Sequence, residues 1–484
     1  MSLNPHVIVI MADQLRHDFI RPEFAPRICA LFSESAQFPR MYTASPLCVP
    51  ARGSFFTGRY PNETGCLVNG WEPIDKEHGL VAARTPNLYT CFEAAGYDSW
   101  HTGKQHLHTA DAFDEQADSQ TRWMSLERGY ADHLANSGAR TPGGPRFTGI
   151  CPELHSRKTS AARRYSIPQT GCYEDGFENF FDGYILKETL HAIEHRDRQK
   201  PFLLNAMFLA PHPPFDIPSP WYQKFKDVPM PENVGRWDPL QSPLNLYHMS
   251  GAIGARYHRE EWQEPWRVYA GLVNLLDHCV GQIVDKLKAE GIYENSVIVF
   301  TSDHGEMLGS HCLWQKMVAY EESARTPLAI KMPRGKNAGV ANPGPTSQVD
   351  VFPTLCQIAG IQIPNSVSGK SLLPQIEGRQ KPTKEPVFIQ SDGNGALEKW
   401  SRCVVDGNLK LIVDGFKDEV FFELYDLEAD PFESRNLAFE QHASLPRFLA
   451  TLSAHMQRTG DLLSLNEADY QSFQRNYAYQ AALA

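Results

Sequence analysis

Residues 6–13 read H-V-I-V-I-M-A-D, an unbroken apolar run, rich in β-branched side chains, that stops on an aspartate. A strand with one wet face alternates apolar and polar residues. A continuous run belongs to a strand buried on both faces, as in a parallel sheet covered by helices. Similar runs recur at Tyr97–Thr102, Phe202–Leu209, Asn295–Thr301 and Pro327–Met332. Helical patterns lie between them. Arg27–Ala36, a helix ending at Ala95 with Thr85 as N-cap and Pro86 at N1, Glu178–His195, Arg267–Ala289 and Asp350–Gly360 are the predicted helices. In the longest, Val268, Leu272, Leu275, Leu276, Cys279, Val280, Ile283 and Leu287 follow the 3.6-residue period and mark a core-facing stripe. Strand and helix alternate, so the fold class is α/β: a large, mostly parallel sheet sandwiched by helices.

In such sheets ligands bind beyond the C-terminal ends of the strands. Asp13, Lys104, His106, His212, Asp303 and His304 all fall just after a predicted strand. A loop and helix start at residues 46–61, P-L-C-V-P-A-R-G-S-F-F-T-G-R-Y-P, adds Cys48, Pro50, Arg52, Thr57 and Gly58. A cysteine there can be a nucleophile, a ligand or a modified side chain, and Arg52 one turn on can hold an anion beside it. The alternative is a buried thiol packed against a proline turn.

The chain has 484 residues, 42% hydrophobic and 21% charged, which are ordinary globular values. Residues 1–380 read as the α/β domain, with irregular insertions at 111–177 and 216–266 expected to wall the substrate site. From 381 to 484 the texture changes to a smaller antiparallel α+β lobe. Its strands are expected at Val387–Gln390, Arg402–Val405, Leu409–Val413 and Phe421–Leu427, with turns at Asp406-Gly407 and Asp414-Gly415 and a helix at Leu445–Arg458. The net charge of −11 argues against nonspecific binding to nucleic acid or anionic membranes. The basic run from Arg157-Lys158 to Arg163-Arg164 reads as a solvated loop. No apolar run approaches the roughly 18 residues of a membrane span, and the N-terminal run has no basic leader. Ten scattered cysteines without a C-x-x-C fit reduced thiols. The expected location is the cytoplasm, or the periplasm if a leader has been removed.

Asp13, Asp303 and His304 offer two carboxylates and an imidazole, with Gln14 a further oxygen donor. Oxygen-rich ligation suits Ca²⁺ or Mg²⁺, and the imidazole leaves Mn²⁺ or Zn²⁺ open. Arg52, Lys104, His106, His212 and Lys316 are the cations and imidazoles that would surround a tetrahedral oxyanion. Taken singly, each has a plainer reading: a strand-end cap, a solvated lysine, a loop histidine.

Together these motifs resemble the formylglycine-dependent sulfatase family of the alkaline phosphatase superfamily, in texture nearest its bacterial choline-sulfatase-like and arylsulfatase-like members. The matching blocks are the strand with M-A-D-Q, C-x-P-x-R-x-x-x-x-T-G at 48–58, G-K-Q-H at 103–106 and A-P-H-P-P-F at 210–215. S-D-H-G-E-M-L-G at 302–309, L-W-Q-K ending at Lys316, and E-L-Y-D-L-E-A-D-P-F-E-S-R-N-L at 423–437 complete them. The resemblance implies that Cys48 is oxidised to formylglycine by a maturation enzyme and also ligates the metal, with Asp13, Gln14, Asp303 and His304. One hydroxyl of the aldehyde hydrate would attack sulfur and displace the alcohol. The other would then lose its proton and expel sulfate. Arg52 and Lys104 would steady the diol, His106 would be the base for that collapse, and His212 and Lys316 would bind sulfate, one protonating the leaving oxygen. Asn69 would contact the oxyanion; its plainer reading is a turn asparagine.

Gln14 and His304 depart from the aspartate and asparagine of many members and resemble choline-sulfatase-like proteins and phosphonate monoester hydrolases. Ala51 stands where the signature often has serine. Ca²⁺ is the expected metal, with Mn²⁺ or Mg²⁺ next. The implied substrate is a small sulfate monoester, with sugar, aryl and choline sulfates all open, and a homo-oligomer is open too. Trp221, Trp237, Trp262 and Trp266 either stack on that substrate or pack the core. Two alternatives stand beside this reading. One is a phosphonate or phosphate ester hydrolase on the same scaffold, against which Lys104 and His106 of G-K-Q-H argue. The other is an unconverted, non-catalytic anion-binding protein.

Overall fold

The structure, a computed structural model, describes residues 4–481 apart from 71–76, 156–158, 383, 394–397 and 441. The Arg157-Lys158 end of the basic run lies outside the described residues. The central sheet has seven strands: β1 (His6–Asp13), β2 (Ala36–Gln37), β3 (Asp98–Gly103), β4 (Arg122–Ser125), β5 (Phe202–Pro211), β6 (Ser296–Ser302) and β7 (Leu328–Lys331). Their spatial order is β2-β7-β6-β1-β5-β3-β4. The run β6-β1-β5-β3-β4 is parallel throughout, and β7 pairs antiparallel with β6. The apolar run of β1 is buried end to end, as its lack of alternation requires.

Helices cover both faces. On one, α1 (Pro26–Ser33), α5 (Phe181–Glu194) and α6 (Gln263–Ala289) pack against Ile8, Ile10, Leu204 and Phe300. On the other, α2 (Cys48–Thr57), α3 (Leu88–Ala94) and α7 (Val351–Ile358) pack against Val7, Val9, Leu203 and Val299. Between α3 and α5, α4 (Leu126–Ser137) follows edge strand β4. A separate antiparallel meander comprises β8 (Val387–Asp392), β9 (Lys399–Asp406), β10 (Leu409–Phe416) and β11 (Glu419–Asp426). It is backed by α8 (Leu445–Thr459) and α9 (Glu467–Asn476), and Tyr60, Leu244 and Val349 of the main body join its core. No helix among the described residues is long and apolar enough to cross a membrane, and none of the ten cysteines is in a disulfide.

Several local expectations change. Residues 111–177 are not irregular throughout: they contain β4, α4 and a hairpin of Thr148–His155 with Thr159–Ser166. Polar edge residues such as Arg122 and Ser125 hid β4 from the pattern. Helix α3 starts at Leu88, capped by Asn87, whose Oδ1 accepts from Tyr89 and Thr90 N–H at 3.0 and 3.1 Å. Thr90 Oγ1 accepts in return from Asn87 N–H, a capping box that outcompetes Thr85, which donates to Ala82 O instead. The turn at Asp406-Gly407 forms, but Asp414 and Gly415 lie inside β10. Gly415 sits opposite Trp400, whose ring would meet an added Cβ at 2.1 Å, so the glycine makes room for the indole.

Candidate active site

The register of the parallel strands builds the site. Ala12 of β1 lies beside Ser302 of β6, so Asp13 and Asp303 emerge side by side. On the other flank Asp13 pairs with Pro211, which brings His212 to the same rim. Gly103 of β3 pairs with Met207, and Lys104 follows it. Four adjacent strands therefore deliver their next residues to one point.

Helix α2 closes the floor. Leu47 is its N-cap and offers no side-chain oxygen; the cap comes from Asn69, whose Oδ1 accepts from Val49 N–H at 3.0 Å. Asn69 is thus committed through its carbonyl to the helix end, so its expected contact with the oxyanion could come only from Nδ2. Pro50 sits in the first turn, where a missing N–H costs nothing. Gly58 ends the helix at φ 65°, and a Cβ there would meet Val367 at 2.8 Å, which accounts for the glycine of the T-G pair.

Arg52, one turn after Cys48, has no exposed surface. Its Nε donates to Asp303 Oδ2 at 2.9 Å, Nη2 to Asp13 Oδ2 at 3.2 Å and Nη1 to the Lys104 carbonyl at 2.9 Å. It braces the two carboxylates and the lysine's backbone, and these bonds occupy all three of its nitrogens. Lys104 Nζ donates to Asp13 Oδ2 and lies 3.8 Å from Cys48 Sγ. Lys316 Nζ is 2.9 Å from Sγ and 2.7 Å from Gln14 Oε1. His304 Nε2 is 3.2 Å from Sγ.

Asp13, Cys48, Asp303 and His304 present ligand atoms within 4.8 Å of one another. His304 Nδ1 lies 3.0 Å from the Gly305 carbonyl, to which it donates, and Nε2 is the nitrogen turned to the two aspartates. Two carboxylates, an imidazole and a sulfur or oxygen at position 48 fit a divalent cation. Gln14 borders this group at φ 68°, and its Oε1 retains a second lone pair beside the Lys316 bond.

The charges set one another's protonation. Burial would raise the Cys48 thiol, but Lys104, Lys316 and His304 outweigh it and hold it well below its ordinary value. Burial and Cys48 would raise Asp13, yet Lys104, His212 and Lys316 pull it far below the usual carboxylate range. Burial and Lys104 depress His106 to about 3, and burial and Lys316 lower His212, so both imidazoles are neutral at neutral pH.

Sequence reasoning missed the supports beneath these groups. Glu306 accepts from Gln14 Nε2, and its other oxygen accepts from Leu308 and Gln315 N–H at 2.9 and 2.6 Å. Ser302 Oγ donates to His304 O at 2.8 Å, and Tyr269 OH to Gln14 O at 2.7 Å. Glu306 and Ser302 stand inside the S-D-H-G-E block, which was the available signal; Tyr269 sits on the core stripe of α6 and carried none. Trp262 and Trp266 are packing residues: Trp262 faces Trp314, and Trp266 Nε1 donates to the Leu308 carbonyl.

The sulfatase family profile matches residues 5–361, and the profile described as N-sulphoglucosamine sulphohydrolase, C-terminal, matches 309–459. A choline-sulfatase of Rhizobium meliloti (strain 1021) is 29% identical over 476 residues, covering 93% of this chain and 85% of that protein. An arylsulfatase of Clostridium perfringens (strain 13 / Type A) is 26% identical, covering 90% of each. The phosphonate monoester hydrolase of Agrobacterium radiobacter superposes with a TM-score of 0.76 at 22% identity, covering 95% of this chain and 96% of that one, which shows a shared alkaline-phosphatase-like fold. On these matches, which run along the same strand ends that carry the site, the chain belongs to the sulfatase family and is a sulfuric ester hydrolase.

Proposed function

We propose that this sulfatase cleaves a small sulfate monoester through a formylglycine hydrate derived from Cys48, beside a divalent metal for which Ca²⁺ is the first choice and Mn²⁺ or Mg²⁺ the next. The observation that carries this reading is the crowd of cationic and imidazole nitrogens on Cys48 Sγ: Lys316 Nζ at 2.9 Å, His304 Nε2 at 3.2 Å and Lys104 Nζ at 3.8 Å. That sulfur stands where an oxygen of the hydrated aldehyde would stand. Asp13, Asp303, His304, residue 48 and Gln14 would hold the metal, which would supply Lewis-acid polarisation of sulfate and of the nucleophile.

The side chains divide the work. Arg52 and Lys104 hold the carboxylates and favour the ionised nucleophile. His212 and Lys316 receive the sulfate oxygens, and one of them protonates the departing alkoxide. His106, neutral at neutral pH, takes the proton of the second hydroxyl so that sulfate is expelled and the aldehyde returns. A maturation enzyme that reads Cys48, Pro50 and Arg52 in the extended chain is part of this proposal. So are the segments 111–177 and 216–266 as walls that choose among sugar, aryl and choline sulfates.

Protein coexpressed with a formylglycine-generating enzyme tests the reading. Mass spectrometry should find the aldehyde at position 48, and an aryl sulfate should turn over faster than the matching aryl phosphonate. A thiol in every molecule, or a clear preference for the phosphonate, overturns it.

A further inference from the structure

A second buried cluster lies behind the loop that carries Lys316, outside the site described above. His311, Glu322 and Glu433 each present a ligand atom, all within 4.8 Å of one another. His311 and Glu322 flank Lys316 in sequence, between β6 and β7. Glu433 comes from the tail beyond β11. All three are buried, with exposures of 1%, 5% and 0%.

His311 and Glu322 are each held by one contact and turn a remaining atom inward, whereas Glu433 is contacted on both oxygens. The His311 ring stacks on Tyr320 at 4.1 Å and 5°. Asn233 Nδ2 donates to Glu322 Oε1 at 2.7 Å. The Glu321 N–H donates to Glu433 Oε2 at 2.6 Å. This is the support pattern of metal ligands, whose far sides are fixed by outer partners. His311 Nε2 and Glu322 Oε2 have no hydrogen-bond partner, and they face each other at 3.9 Å. That gap is too long for a hydrogen bond and fits two ligands of one ion bound at about 2.0–2.2 Å each. Leaving a buried carboxylate and imidazole unsatisfied is costly, so the gap calls for an occupant.

Carboxyl groups outnumber cationic side chains around this gap. Glu321, Glu322 and Glu433 share this space with Lys410, 3.1 Å from Glu321 Oε1 and 2.9 Å from Glu433 Oε1, and Arg325 Nη1 lies 3.5 Å from Glu321 Oε2. A small cavity of about 20 Å³, whose lining includes Glu232, Asn233, Arg236, Asp238 and Phe432, reaches His311. Phe432 on its rim is exposed, which provides an entry path.

We propose that His311, Glu322 and Glu433 bind a divalent first-row transition-metal ion of the Zn²⁺ type, which one imidazole and two carboxylates suit. Its role is structural. The loop from Leu308 to Met317 holds five non-glycine residues at positive φ: Leu308, His311, Cys312, Gln315 and Met317. Such a shape persists only when its surroundings over-determine it. The ion would pin this loop to the C-terminal tail and so fix Lys316 at the active site. The proposal is independent of the chemistry assigned to Cys48.

Chelator-stripped protein dialysed against Zn²⁺ tests it. Asp303→Asn protein, which lacks one ligand of the first cluster, is expected to retain one tightly bound Zn²⁺ per chain by elemental analysis and to show a Zn²⁺-dependent rise in melting temperature. Adding His311→Gln should weaken that binding at least tenfold and remove the rise. Equal Zn²⁺ binding with and without His311→Gln overturns the proposal. Should the double variant fail to fold, anomalous diffraction at the zinc edge from Zn²⁺-soaked wild-type crystals decides. A peak within coordinating distance of His311 Nε2 supports the site, and a water there with no anomalous signal sinks it.

Discussion

Two of the places where the molecule buries charge differ in which kind of charged group is the more numerous. At the strand ends, Arg52, Lys104 and Lys316 outnumber Asp13 and Asp303. At the seam with the C-terminal sheet, Glu321, Glu322, Glu423 and Glu433 outnumber Lys410 and Arg325, and burial pushes Glu423 up to about 7 and Glu433 up to about 8. Each place sets a lysine among carboxylates, Lys104 on Asp13 and Lys410 between Glu321 and Glu433. A buried ion pair therefore says little about function by itself. What separates them is which kind of group predominates and the way in. Basic groups in excess at the mouth of a parallel sheet suit an anionic ester. Carboxyl groups in excess at a seam, with a narrow entry, suit a small cation.

The largest test of this contrast is Cys48→Ala. Sulfate release from an aryl sulfate should fall by at least about 10⁴-fold, the scale of losing a nucleophile, while the melting temperature stays near wild type. Retained turnover would remove Cys48 from the chemistry. His106→Asn should slow steady-state turnover by roughly 10²–10⁴-fold. In a rapid-quench experiment it should still release one equivalent of phenol, because collapse, not attack, is blocked. No burst would move His106 out of that step.

Lys410→Met probes the other cluster. It strands buried carboxylates, so unfolding free energy should drop by about 3–5 kcal/mol in denaturant titration, with kcat per folded molecule unchanged. A kcat defect without a stability loss would merge the two clusters functionally. Asn69→Ala should cost about 1 kcal/mol, the size of a lost helix cap, and little activity. A hundredfold loss of turnover at unchanged stability would return Asn69 to the oxyanion.

A smaller, pH-dependent effect concerns Asp182, which supports the strand end before His212. Its Oδ1 accepts from Leu209 and Ala210 N–H, both at 2.9 Å. Burial lifts its pKa from 3.8 to about 7 despite those bonds. The folded state thus holds a proton that the unfolded chain releases, so this group's contribution is complete below pH 4 and is lost as pH rises towards 7. Asp182→Asn should flatten that part of the stability–pH curve; an unchanged slope would show that Asp182 is not its source.

Much of the active site was legible because its signals are local. A continuous apolar run followed at once by a charged residue marks both a buried strand and the place where it ends, so Asp13, Lys104, His212 and Asp303 could be read one at a time. Cys48 and Arg52 lie one turn apart, and helical geometry alone puts them on one face. Edge strand β4 was not legible, because its polar residues break the pattern that marks buried strands. Nor was Gly415, whose reason is an indole fifteen positions away across a hairpin.

The sequence by itself determined the buried strands of the central sheet, their order along the chain and the kinds of side chain at their ends, since these follow from periodicity and short-range sterics. Tertiary structure alone decided that Ala12 lies beside Ser302, so that two aspartates meet. It decided that Asn69 caps a helix twenty residues before it, and that His311 and Glu322 meet Glu433. These are pairings between distant segments, set by sheet register and by which buried polar atoms find partners. No local pattern encodes either one.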